Sequence, residues 1–351
     1  MTVQGDRSDS DPDTPSETGT ETGSDAVDRD DTERILVVGE ALIDVVRERS
    51  GAVREHVGGS PANVALGLGR LGRRTSLLTQ VGPDKHGAMI TTHLEGSGVE
   101  VLPASSSGQR TSTAIATLAE DGSAQYTFDL DWSLAASEIP FRPLAVHTGS
   151  IGALLPPGAA TVHAILESQR DVATISYDPN VRPVLLGSAD SVRVEIEARV
   201  ALGDVVKASD EDLAWLYPGV PAADVAATWL DLGPSLVVVT LGANGSYGLA
   251  AAGVIELEPV AVTVVDTVGA GDSFMGGLLD ALWSHRLLGA ERRADLAAID
   301  TETLRQCMQR AALVSAITVS RAGAQPPTSE DLAKWPVEKL PSSWGPARSP
   351  A

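Results

Sequence analysis

Short apolar runs that end in glycine or a polar residue alternate with stretches of helical periodicity along most of this chain. Residues 34–39 (RILVVG) carry no polar alternation, as in a strand buried on both faces. Residues 75–81, 145–149, 174–177, 204–207 and 236–240 read as further short strand segments. Between them, residues 61–71, 84–95, 158–169 and 221–231 place apolar side chains at helical spacing, and 270–284 and 304–319 read as late helices. Strand–helix alternation predicts an α/β fold: a doubly wound, mostly parallel sheet with helices on both faces. Residues 44–57 and 111–130 break the alternation and read as strand pairs, the second with a turn signal at Asp121-Gly122. Inserted into such a fold, they predict a small β-strand lid and a ligand-holding cleft between lid and main sheet.

Composition narrows the class. The 351 residues are 43% apolar, 21% charged and only 4% aromatic, a balance of globular enzymes. Formal net charge is −21; residues 1–33 hold eleven acids against Arg7 and Arg29, which leaves −12 on the rest. Such a surface repels nucleic acid and anionic membrane. Residues 1–33 are nearly devoid of apolar side chains and are expected to form a disordered acidic tail. The α/β domain is expected over 34–340, followed by a loose C-terminal tail at 341–351. The single Cys307 excludes an intramolecular disulfide framework and a cysteine-based zinc site. The six histidines show no metal-ligand spacing. An acidic N-terminus without a basic segment and apolar core does not read as a secretory signal, so a cytoplasmic location is expected.

Two segments carry chemistry. Residues 266–274 (DTVGAGDSF) follow an apolar β-branched stretch and precede a helical pattern. Two glycines and an alanine at a helix start let backbone N–H groups converge on an anion, where the helix dipole adds positive potential. Asp272 then lies in the first helical turn beside that anion. It can take a proton from a hydroxyl attacking phosphorus, while the amides of Gly269, Ala270 and Gly271 stabilise the group in transit. The plainer reading is an aspartate near a helix start on a Gly-rich turn. Residues 58–72 (GGSPANVALGLGRLG) place Gly58-Gly59 before a Ser-Pro helix start. The glycines permit close backbone approach to a ligand, and Asn63 offers a donor and an acceptor to a polyol. Here the plainer reading is a tightly packed helix with a Gly-rich entry. The segment lacks the Gly-Lys-Ser/Thr of a Walker A loop and the spacing of a dinucleotide fingerprint.

Taken together, over roughly residues 34–335, these segments resemble the two signature patterns of the ribokinase/fructokinase superfamily, the pfkB-type carbohydrate kinases. Residues 39–44 (GEALID) and 178–183 (DPNVRP) are similar to the fructokinase branch. The resemblance implies an ATP-dependent sugar kinase, most simply one that converts fructose to fructose 6-phosphate. It implies that Asp44, Gly58, Gly59, Asn63 and Asn180 bind the sugar, that Asp272 is the base, and that Arg182 stabilises the transferring phosphoryl group. Ser209, Thr240, Gly242, Gly245, Gly271 and Ala324 are implied at the nucleotide. Asp212 is implied to order magnesium-bound water, with Mg²⁺ carried mainly by ATP. Asp266 and the backbone around Gly323 are implied at a monovalent cation, K⁺, and the lid is implied as a homodimer interface.

Departures from the family pattern are specific. Asp212 stands where the family has Glu, one methylene longer, and His86 stands where Phe is common. His86 reads as a surface or lid-neighbour residue and not as a catalyst. Trp132 is placed either to stack on a sugar or to pack, and Cys307 reads as buried and inert. Other sugars on the same fold (2-keto-3-deoxygluconate, tagatose or ribose) and a non-catalytic sugar-binding protein are the alternatives; loss of Asp272 would mark the last.

Overall fold

The computed structural model describes residues 33–47, 52–102, 110–118, 124–336 and 339–344. The expected acidic tail at 1–33 (all but its last residue) and the Asp121-Gly122 turn lie outside them. Strands β1 (Ile35–Val38), β2 (Leu42–Arg47), β3 (Val53–Gly58), β4 (Thr75–Leu78), β5 (Val99–Leu102), β6 (Thr113–Leu118), β7 (Ala124–Asp129), β8 (Ala145–Gly149), β9 (Thr174–Asp178), β10 (Val205–Ser209), β11 (Leu236–Thr240), β12 (Ser246–Ala250) and β13 (Gly253–Leu257) form two sheets. The larger has nine strands in the order β13-β12-β11-β10-β9-β8-β1-β4-β5. Neighbours from β11 to β5 pair in parallel, and β12 alone is reversed, pairing antiparallel with both β11 and the edge strand β13.

β1 shows why the sheet is central. Its four side chains are fully buried, Ile35 and Val37 on one face and Leu36 and Val38 on the other. The first pair packs with helices Ser60–Arg70 and Ala270–Ser284, the second with Gly158–Gln169 and Ala189–Leu202. A strand covered on both faces reads as an unbroken apolar run, which is how the sequence marks it.

The second sheet, ordered β3-β2-β6-β7, is the lid. β2 pairs β6 in parallel and the other contacts are antiparallel. Ile43 and Val45 turn into the main core, with Val57 and Ile115 beside it. Polar bonds fix the crossings between lid and body. The Asp84 carboxylate accepts the Thr111 amide and hydroxyl, both at 2.8 Å, while capping the Lys85–Glu95 helix through Gly87 N at 2.8 Å. These bonds hold the Asp84 carboxyl low against the opposing effect of burial. Gln80 Oε1 accepts the Ser133 amide at 2.8 Å. From β3, Glu55 takes Lys85 Nζ at 3.0 Å and His86 Nε2 at 3.1 Å, so His86 is a lid neighbour.

Several elements escape the sequence pattern. β5 is only four residues with one exposed glutamate, and β12–β13 alternate around a turn without Gly-Asp punctuation. Helix Ala189–Leu202 is charged and weakly amphipathic. Of the expected loose C-terminal tail only residues 341–344 are described, and here the expectation needs a correction: Ser342–Trp344 form a 3₁₀ turn whose Trp344 ring packs on the core, and Ser343 Oγ donates to Glu258 Oε2 at 2.9 Å. A large apolar ring supplies the burial that the polar composition concealed. Among the described residues no helix is long and apolar enough to cross a membrane.

Candidate active site

Gly149, Asp178, Ser209 and Thr240 stand at the carboxyl ends of neighbouring parallel strands β8, β9, β10 and β11. This edge is where open α/β sheets hold their ligands. The lid crossings and the start of helix Ala270–Ser284 meet it there.

Gly269 caps that helix in the left-handed region at φ 75°, and a Cβ there would lie 2.7 Å from the Ala324 Cβ. Both constraints select glycine. The turn is also held from outside: Ser315 Oγ donates to the Ala270 carbonyl at 2.9 Å. The Ala270 amide donates to the Thr267 carbonyl at 3.2 Å. Of the three amides assigned from sequence to an anion, that one is spent inside the turn, because closing a tight helix entry consumes a donor.

Asp272 is buried, 6% exposed, and its carboxylate is gripped from both sides. Ser60 Oγ donates to Oδ1 at 2.6 Å and Asn63 Nδ2 to Oδ2 at 2.8 Å; Asn180 Nδ2 lies 3.4 Å from Oδ1. Ser60 and Asn63 are one turn apart on one helix and so share a face. Asn63, assigned to the sugar, thus orients the aspartate here. Ser60 went unassigned; its spacing to Asn63 on a helix aimed at the anion turn was the available signal.

Asp44 rises from the lid. Burial pushes its carboxyl up to about 6, partly offset by His56 and Arg182, with Asp272 adding repulsion. Asp44, Arg182 and Asp272 therefore share one electrostatic environment. A Cβ on Gly58 would come within 2.1 Å of Asp44 Oδ2, so this glycine makes room for the carboxylate rather than for a ligand backbone. Gly59, at φ 101°, abuts the Glu40 carbonyl at the β1–β2 crossing. Glu40 itself accepts the Gly152 amide at 2.7 Å and is pushed up to about 7 by burial.

Asn180 has φ 35°, and Arg182 folds back on it, donating to Asn180 Oδ1 at 2.7 Å and to the carbonyls of Asn180 and Val181. Its guanidinium sits at the exposed rim and acts on Asp44 and Glu40 through its charge. Ser209 and Asp212 form a capping box on helix Asp210–Leu216. Asp212 Oδ2 accepts Ser209 N at 2.8 Å and Ser209 Oγ at 2.7 Å, and Oδ1 accepts Val181 N at 2.7 Å. The carboxylate implied at magnesium thereby carries three protein donors and pins the Asn180–Arg182 loop.

Asp266 joins two loops, accepting Val268 N at 3.0 Å and Gly323 N at 2.9 Å. Ala324 lies against Gly269. Thr240 ends β11 and Gly242 and Gly245 follow it, where a 3₁₀ turn, Gly242–Asn244, closes the strand end. Trp132 is packing: its Nε1 donates to the Gly152 carbonyl at 3.0 Å and its ring lies on Gly158. Cys307 is buried in helix Thr301–Val319, which pushes its thiol up to about 12. The reading from sequence also passed over Lys207 of β10, whose ammonium pairs with Asp178 at 2.9 Å below the anion turn.

Comparison with known proteins agrees with this geometry. The model of the pfkB family carbohydrate kinases matches residues 32–331. A fructokinase of Rhizobium leguminosarum bv. trifolii is 34% identical over 284 residues, 77% of this chain and 85% of the relative. Among solved structures, a fructokinase with bound ATP from Xylella fastidiosa superposes with a TM-score of 0.71 at 26% identity, covering 86% of this chain and 98% of the other. A double mutant of the Vibrio cholerae O395 fructokinase, in a form bound to fructose, ADP and potassium ion, gives 0.69 at 25% identity, covering 86% and 98%.

Proposed function

Since the chain belongs to the pfkB family of carbohydrate kinases, we propose that it is a fructokinase, transferring the γ-phosphoryl group of ATP to the primary 6-hydroxyl of D-fructose. The observation that carries this reading is the Asp272 carboxylate, buried, doubly oriented by Ser60 and Asn63, and set in the first turn of a helix with a left-handed glycine cap. Such a carboxylate is placed to accept a proton, and the turn is placed to receive an anion. The relatives named above are fructokinases, which favours fructose among the sugars of the family.

In this mechanism Asp44 accepts hydroxyl hydrogen bonds from the sugar across the lid cleft, and Asn180, beside Asp272, is a further sugar contact. Asp272 removes the proton of the attacking hydroxyl, and the amides of Gly269 and Gly271 face the group in transit. Arg182 contributes positive charge from the rim. The edge at Ser209, Thr240, Gly242, Gly245 and Ala324 receives the nucleotide. Magnesium bound with ATP supplies charge neutralisation on the phosphates, an ion that keeps most of its waters. Asp266, which draws the 268 and 323 backbones together, and the carbonyls near Gly323 would hold a monovalent cation. The enzyme works in the cytoplasm, with lid-to-lid contact between two copies as its dimer interface.

Competition between fructose and ribose at equal concentration tests the sugar assignment, and kcat/KM is expected to favour fructose. A higher value for ribose or a keto-deoxy acid would move the enzyme to another branch of the family. A second expectation concerns pH. The Asp44 carboxylate is the better hydroxyl acceptor in its ionised form, and that form is lost as pH falls through about 6. The KM for sugar should rise below that pH, and Asp44→Asn should flatten this part of the profile. An unchanged slope in the variant would remove Asp44 from the sugar site.

A further inference from the structure

We propose that Lys207 is a positioning residue for phosphoryl transfer: its ammonium, anchored by Asp178, supports the Gly271–Asp272 turn from below and balances the carboxylates gathered around it. The inference rests on the kinase reading above and concerns a side chain which that reading leaves idle.

The geometry comes from three elements. Lys207, only 3% exposed on β10, donates to Asp178 Oδ2 on β9 at 2.9 Å. Asp178 is wholly buried, and its Oδ1 has no hydrogen-bond partner. A Cβ built on Gly271 would lie 2.8 Å from Lys207 Nζ. The ammonium therefore occupies the space that any side chain at 271 would need, and the turn rests on it. This gives glycine at 271 a reason separate from ligand approach.

Charge makes the arrangement consequential. Burial works against the Lys207 cation, yet the fields of Asp178, Asp212 and Asp272 overcome it and hold the amine above its ordinary value. Burial pushes Asp178 up to about 6 even with Lys207 beside it. On β8, burial and the nearby Lys207 hold His147 down at about 3, so it adds no charge. Asp44 faces Asp272 from the lid, and Arg182 stands at the exposed rim. Ser60 and Asn63 bring hydrogen bonds without charge. Lys207 is thus the buried cation facing Asp272. Without it, three carboxylates would share the floor of the cleft, and proton uptake by any of them would become easier.

The test compares Lys207→Met, Lys207→Gln and Asp178→Asn with the wild type in kcat against pH, sugar Kd by calorimetry, and thermal stability. Neutralising Lys207 should move the acid limb of the kcat profile up by about one pH unit, the effect of losing one nearby opposite charge. The kcat at a fixed pH on that limb should fall about tenfold. Sugar Kd should stay within about threefold, since the residue touches no substrate. Asp178→Asn, which removes a negative charge and keeps the shape, should move the same limb the other way. Lys207→Gln still donates to Asp178 and decides the matter if the Met variant does not fold. Folded Lys207 variants with the wild-type profile would overturn the inference. A wild type that phosphorylates no sugar would instead overturn the reading beneath it.

Discussion

Asp272→Asn should lower kcat by about 10²–10⁴-fold, the usual contribution of a general base. The substitution preserves size and leaves one oxygen to accept from Ser60, which donates at 2.6 Å in the native site. Asn63 would then face an amide through its own amide and must turn, a local cost that leaves the helix start intact. Sugar and nucleotide binding should persist, so the loss falls on kcat and kcat/KM together, as for an interaction made chiefly in the transition state. Single-turnover transfer within about threefold of wild type would return Asp272 to the role of a helix-start carboxylate.

Asp212→Ala is expected to cost stability first. The carboxylate closes a capping box with Ser209 and accepts the buried Val181 amide at 2.7 Å. Ser209 Oγ still caps the helix through the residue-212 amide, but Ser209 N loses its acceptor, at about 1 kcal/mol for a lost hydrogen bond, and leaving the buried Val181 N–H without a partner costs about 1–3 kcal/mol more. Together they amount to roughly 2–4 kcal/mol, a fall in Tm of about 3–5 °C for a chain of this size. Activity should drop as well, because Asn180 and Arg182 hang on Val181, with Asn180 Nδ2 3.4 Å from Asp272. Asp212→Asn, which keeps acceptor oxygen on one side, should fall between. An unchanged Tm combined with a steeply raised Mg²⁺ requirement would instead restore the metal-ordering task implied by the family pattern.

Much of the frame was legible before any coordinates. β1, and β11 up to its last residue, are unbroken apolar runs because helices cover both their faces, and such runs stand out without knowledge of partners. The lid was legible from alternation, and Asp272 and Gly269 from their place at a helix start. What escaped depended on contacts far apart in the chain. Ser60 and Asn63 lie more than 200 residues from the aspartate they orient. Lys207 pairs with Asp178 from a different strand, and no local pattern distinguishes a lysine beneath a turn from one on the surface. Gly58 read as room for a ligand, whereas it makes room for Asp44 on the neighbouring strand, a register fact that only pairing reveals. Asp212 followed its motif position, while the structure spends its oxygens on a cap and a loop.

Phosphorus NMR of the purified protein with fructose, ATP and Mg²⁺ decides whether this cleft transfers the γ-phosphoryl group to fructose. The γ-phosphate signal should disappear in step with the appearance of one phosphomonoester on the 6-hydroxyl and an equal amount of ADP. Untouched ATP under those conditions, or ATP hydrolysed to free phosphate with no sugar ester formed, would contradict it.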